Sequence, residues 1–123
     1  MKEGYTIKDQ SRAHFITATV VDWIDIFSRQ NYRDCILDSL SYCIKNKGII
    51  LYGYVIMTNH IHLIVQSDQG ELSHLLRDFK KFTATRILEL IRNSPEIRRE
   101  WILERFHMVT FSHQTMKNLQ VVR

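Results

Sequence analysis

The chain has 123 residues, a net charge of +4, 45% hydrophobic residues and 24% charged residues. That is one domain, large enough for a sizeable core and too small for two. The balance is ordinary for a soluble globular protein. The longest apolar runs, Gly48 to Met57 and Ile61 to Val65, are too short to cross a bilayer, and Met1 to Arg12 is polar with no signal-like apolar core. No membrane association and a cytoplasmic location are the simplest expectations.

The predicted elements follow in chain order. His14 to Trp23 (HFITATVVDW) mixes β-branched and aromatic residues with small ones, which predicts a strand. Asn31 to Lys47 has apolar residues at Ile36, Leu37, Leu40, Cys43 and Ile44, which is helical spacing, and Lys47-Gly48 is a stop. Cys35 and Cys43 lie eight apart in that helix. Their Cα atoms would be roughly 12 Å apart, against the ~7 Å limit of a disulfide, so free thiols are expected. Ile49 to Met57 and His60 to Gln66 read as a hairpin about Thr58-Asn59. After the loop Ser67 to Gly70, Leu72 to Ile91 predicts a second helix, with Leu72, Leu75, Leu76, Phe79, Phe82, Ile87 and Leu90 on its apolar face. Ser94 and Pro95 suit the start of a third helix running to about Phe106. The layout is α+β: a ferredoxin-like split βαβ, an antiparallel sheet with helices packed on one face. Phe106 to Phe111 or Leu119 to Val122 is left to supply a fourth strand.

The stretch that carries chemistry is Tyr52 to Val65, YGYVIMTNHIHLIV. On a strand, His60 and His62 point to the same side while Ile61 faces the opposite layer. Two neutral imidazoles are half of a divalent-metal site, which still needs a third ligand and positions open to substrate. With six histidines in 123 residues a chance His-x-His is common, so the flanking residues decide its meaning.

Residues Tyr54 to Val65, YVIMTNHIHLIV, resemble the HUH block of the single-tyrosine transposases, of the insertion-sequence-200 and REP-associated types. That block commonly has Pro where Thr58 stands. The likeness extends to His14-Phe15-Ile16-Thr17 and Val20 to Trp23 as a first strand. Leu72-Ser73 with Leu76 to Thr83 is similar to the helix after the motif, and Trp101 to Phe106 to a later helix of some branches. It covers about residues 12 to 106. The resemblance implies that His60 and His62 hold a divalent metal, Mg or Mn. It further implies that this metal polarises a scissile phosphate of single-stranded or hairpin DNA, and that a later tyrosine forms a 5′-phosphotyrosine link. It also implies a homodimer.

Two features depart from that pattern. The tyrosines are Tyr5, Tyr32, Tyr42, Tyr52 and Tyr54, all before His60, so no catalytic residue can be assigned. The tail His107 to Arg123 carries none of the motifs. An incomplete transposase-like domain, 1–106, followed by a frameshifted tail, 107–123, is one expectation. The other is a short variant whose tail supplies the fourth strand, with His107 and His113 as candidate third ligands.

Net charge sharpens the partner question. Arg77 to Arg105 holds eight basic and five acidic residues, an excess of three that makes up most of the total. Arg77, Lys80, Lys81 and Arg86 are the candidate DNA contacts on the second helix; a plain solvated face is the bland alternative, as it is for Glu96, Glu100 and Glu104 beside Arg99. His14 and His74 read as partly exposed structural histidines, Trp23 and Trp101 as core or interface. Two readings remain: a transposase-type strand transferase on single-stranded DNA, lacking its nucleophile, or a non-catalytic DNA-binding or dimerisation remnant. An RNA-binding ferredoxin-like domain is weaker, because no aromatic pair for stacking is evident on the sheet.

Overall fold

The computed structural model describes residues 7–20, 24–93, 98–110 and 116–122; for 105–110 and 116–122 the backbone alone is described. The order is β1 (His14–Val20), a 3-10 turn (Ile26–Ser28), α1 (Gln30–Asn46), β2 (Ile49–Ile56), β3 (His60–Ser67), α2 (Leu72–Arg92), α3 (Arg99–Thr110) and β4 (Met116–Val122). The four strands form one sheet in the order β2-β3-β1-β4, every pairing antiparallel. This is the ferredoxin-like arrangement expected from the sequence.

The sheet has one covered and one open face. On β3, Ile61, Leu63 and Val65 are buried, while His60, His62 and Gln66 are half-buried and Ile64 is exposed. On β1, Ile16 and Ala18 share the covered face. Onto it α1 brings Tyr32, Cys35, Ile36, Leu40 and Cys43, and α2 brings Leu72, Leu75, Leu76, Phe79, Ile87 and Ile91. Residues three and four apart make one stripe on each helix, which is why these helices form against a sheet rather than in isolation. Each such side chain contributes about 1.5–3 kcal/mol on burial. Both cysteines are free and buried in this layer, and burial pushes the Cys35 thiol up to about 11, which makes it unreactive.

Two junctions fix the helices. Gln10, from the segment before β1, reaches across to α2: its Oε1 accepts the Ser73 N–H at 2.7 Å and its Nε2 donates to Ser73 Oγ at 2.9 Å. This satisfies part of the helix's first turn. Gly48 ends α1 with φ 79°, in the left-handed region that favours glycine. Its carbonyl accepts the Asp68 N–H at 2.9 Å, and a Cβ there would overlap the Asp68 carboxylate. Gly48→Ala is therefore expected to cost about 1–2 kcal/mol from backbone strain alone, read as a lower midpoint in urea denaturation.

Several expectations need correction. The third helix extends to Thr110, so residues 106–110 are helical and the strand alternative at Phe106 is overturned. The fourth strand is Met116–Val122, taking in the Leu119 to Val122 alternative. Ser94, Pro95, Trp23, Tyr5 and His113 lie outside the described residues, as does the side chain of His107. His14 is 2% exposed, not partly exposed; its Nδ1 lies 2.9 Å from the Arg12 carbonyl, which satisfies it in the core. Phe82 leaves the apolar stripe of α2, and Trp101, at 45% exposure, is outside the core, which leaves the interface half of its expectation.

Candidate functional site

His60 and His62 project from β3, the second of two central strands, onto the open face. Their ring centroids are 4.8 Å apart with the planes at 80°. Each imidazole has its Nδ1 engaged. His60 Nδ1 lies 2.8 Å from Asn59 Oδ1, and His62 Nδ1 lies 3.0 Å from Thr17 Oγ1. Thr17 is the cross-strand partner of His62 in the β1–β3 register, so sheet pairing itself brings them together. Phe15 stacks on the His62 ring at 5.3 Å and 27°.

The turn carrying Asn59 is held by its main chain. The Asn59 carbonyl accepts the Val20 N–H and the Thr58 carbonyl accepts the Phe27 N–H, each at 2.9 Å, while the Met57 N–H donates to the His60 carbonyl at 2.8 Å. Arg33 donates to the Phe27 carbonyl at 2.8 Å, linking the 3-10 turn to α1. Burial, and then the neighbouring His62, lower the pKa of His60 below its usual value. Both effects favour the neutral imidazole, which is the form that ligates a metal.

The donor set suits a divalent cation: two half-buried imidazoles, each with Nδ1 engaged and, among the described residues, with no hydrogen bond at Nε2. It is incomplete by itself. Among the described residues no group of three or more His, Cys, Asp or Glu could hold a metal ion.

The open face also exposes apolar and aromatic surface. Phe15 is 37% and Tyr52 60% exposed, with Ile50, Val55 and Ile64 beside them. Tyr52 occupies the irregularity where β2 slips against β3 between Leu51 and Gly53, and its hydroxyl donates to Gln66 Oε1 at 2.6 Å. Phe15 on β1 and Tyr52 on β2 are separated by β3, so they are two rings spread over the face rather than an adjacent pair. They sit 37 positions apart in sequence, and only strand pairing brings them onto one face.

The four candidate DNA contacts on α2 do not form one stripe. Arg77, Lys81 and Arg86 are exposed and Lys80 is half-buried. At 100° per residue, Lys81 and Arg86 stand roughly 140° apart around the helix. The Arg86 guanidinium lies 5.8 Å from the Phe82 ring centre, and Phe82 stacks on Tyr42 of α1 at 5.6 Å. Lys81, Phe82 and Tyr42 border a groove of about 350 Å³ between the two helices. Since α2 covers the other side of the sheet, the groove and these cations face away from the histidine pair. His74 is solvent-facing, 3.8 Å from the Asp78 carboxylate.

Comparison with known proteins gives the family of the chain. The sequence profile of the family described as Transposase IS200 like matches residues 8–121. The chain belongs to this family. The match runs past residue 106, where the motif likeness stops, and takes in β4. A solved structure of a transposase candidate from Deinococcus radiodurans superimposes with a TM-score of 0.57, at 15% identity, over 100% of this chain and 84% of that one; at that identity the likeness speaks to the fold. No curated protein matches the sequence significantly. Among the described residues no helix is long and apolar enough to cross a membrane.

Proposed function

We propose that this member of the transposase family binds single-stranded or hairpin DNA on the open sheet face, at a divalent metal held by His60 and His62. The carrying observation is the geometry of that pair: two imidazoles on one face of a central strand, each with Nδ1 already engaged and Nε2 left for a cation. When bound, a divalent metal supplies Lewis-acid polarisation of a scissile phosphate oxygen. The chain's own residues bind and orient. His60 and His62 hold the cation, and Phe15 and Tyr52 offer rings on which unpaired bases can stack, which favours single strands over duplex. Of Mg and Mn, imidazole nitrogen suits Mn better, since Mg prefers an all-oxygen shell; tighter Mn binding is expected by calorimetry.

The nucleophile of strand transfer is not assigned to this chain. Tyr32 is buried, Tyr42 faces the helix groove, and Tyr54, though 48% exposed, pairs with Leu63 and so stands on the side of the sheet opposite the histidines. Tyr52 is on the open face, but its hydroxyl is committed to Gln66, four residues beyond His62. At about 3.3 Å per strand residue that is roughly 13 Å away.

A labelled hairpin oligonucleotide with Mn tests the proposal. Retention on the protein that disappears with a chelator, without a covalent adduct on a denaturing gel, is the expected result. A protein–DNA adduct would overturn the missing nucleophile, and no retention in Mn would overturn the DNA reading. The homodimer belongs to the same proposal and is read by sedimentation velocity.

The α2 cations face away from the metal site, which gives a second expected result. A short single strand confined to the sheet face should keep its salt dependence in Arg77→Ala and Lys81→Ala. A drop in the log–log slope of about 0.7 per residue would show that these cations reach the same strand.

A further inference from the structure

We propose that Asn59 and Thr17 are positioning residues that fix both histidines as Nδ1–H tautomers, so that both Nε2 lone pairs are kept for the cation. The inference rests on the metal reading above and adds to it the groups that prepare the ligands. Free neutral imidazole can carry its proton on either nitrogen, and only the nitrogen without it can ligate. A ring held in the Nε2–H form would present a proton to the cation.

Each ring meets a different restraint. The Asn59 side-chain oxygen, 2.8 Å from His60 Nδ1, is an acceptor only, so His60 Nδ1 must carry the proton in this contact. Thr17 Oγ1, 3.0 Å from His62 Nδ1, can accept or donate. Its position is set by pairing: Thr17 is directly opposite His62 in the β1–β3 register. With Nδ1–H donating to Thr17, His62 matches His60, and both rings offer Nε2. The orientation is fixed as well as the tautomer. Phe15 stacks on His62, and the Asn59 carbonyl is held by the Val20 N–H. The two hydrogen bonds therefore come from well-anchored backbone rather than from a free loop. Groups placed behind metal-binding histidines in this way affect metal affinity by about 10–100-fold when removed.

The test reads the protein without metal first. Two-bond ¹H–¹⁵N correlation spectra at pH 8 distinguish the protonated from the unprotonated ring nitrogen of each histidine. In the unmodified chain both Nδ1 atoms are expected to be protonated. Thr17→Val keeps the shape and the strand preference while removing the oxygen. It should move His62 toward the Nε2–H form and weaken Mn binding by about 10–100-fold, with His60 unchanged. Thr17→Ser should restore both readouts. Asn59→Asp keeps an acceptor and should hold the His60 tautomer, whereas Asn59→Ala should release it. Unfolding of Asn59→Ala would not obscure the result, since the Thr17 pair of variants reports separately. An Nε2–H signal for His62 in the unmodified chain, or a Thr17→Val spectrum identical to it, would overturn the proposal. Both tautomers as expected together with no Mn binding would leave the tautomer assignment standing and overturn the metal reading instead.

Discussion

His62→Ala is expected to lower Mn affinity by on the order of 100-fold or more while leaving the fold intact. The magnitude follows because removing an inner ligand costs at least as much as removing a group behind it, for which 10–100-fold is typical. The fold survives because His62 lies half-buried on the open face, and its loss frees only Thr17 and one face of Phe15, both of which can turn to water. Titration calorimetry with Mn, beside a thermal melt of the same sample, separates the two effects. Metal-dependent retention of the oligonucleotide should disappear in parallel. An unchanged Mn affinity in a well-folded His62→Ala protein would place the metal elsewhere, and the proposed function would lose its carrying observation.

How far the sequence discloses this site depends on the kind of signal involved. The pair itself is legible, because His60 and His62 need only the period of a strand to share a face. The covered face of β3 is equally legible from Ile61, Leu63 and Val65, and the stripes of α1 and α2 follow from helical spacing. Asn59 is adjacent to the pair and could have been noticed on that ground. Thr17 could not: it lies 45 residues from His62 in sequence, and its role depends on the exact β1–β3 register, in which a shift of one residue would have placed Ile16 or Ala18 there instead. The aromatic surface was hidden for a related reason. Phe15 alternates regularly, but Tyr52 falls where β2 slips against β3, and such an irregularity does not show in residue pattern alone. The α2 cations are legible only in part: Arg77, Lys80 and Lys81 follow from helical spacing, whereas the contact of Arg86 with the Phe82 ring shows only in the folded chain. The fourth strand is not legible in the tail, where neither segment has a clear period; its pairing with β1 is a tertiary choice that propensity does not dictate.

Ile61→Ala is expected to have the largest effect on stability of any single change near the site, about 2–5 kcal/mol. Ile61 sits between the two histidines but points the other way, into the layer between sheet and helices, and is fully buried at 0% exposure. Its cross-strand partners are Ala18 on β1 and Ile56 on β2. Ala18 is already small, so little neighbouring volume is available to collapse into the space left by the missing methylenes, and a cavity adds to the lost burial. For a domain of this size the loss corresponds to a fall in melting temperature on the order of 10–20 °C. Because the histidines take their direction from this strand, Mn affinity measured above the new melting point should vanish, while below it Mn binding should persist and should itself raise the melting temperature. His62→Ala is expected to show the reverse: a normal melt and no such metal-dependent shift. The two substitutions, one position apart on opposite faces of β3, thus separate what holds the strand from what the strand presents. A melt of Ile61→Ala within a degree or two of the unmodified protein would mean that this face of β3 is not the packed one, and with it the assignment of the open face to DNA would fall.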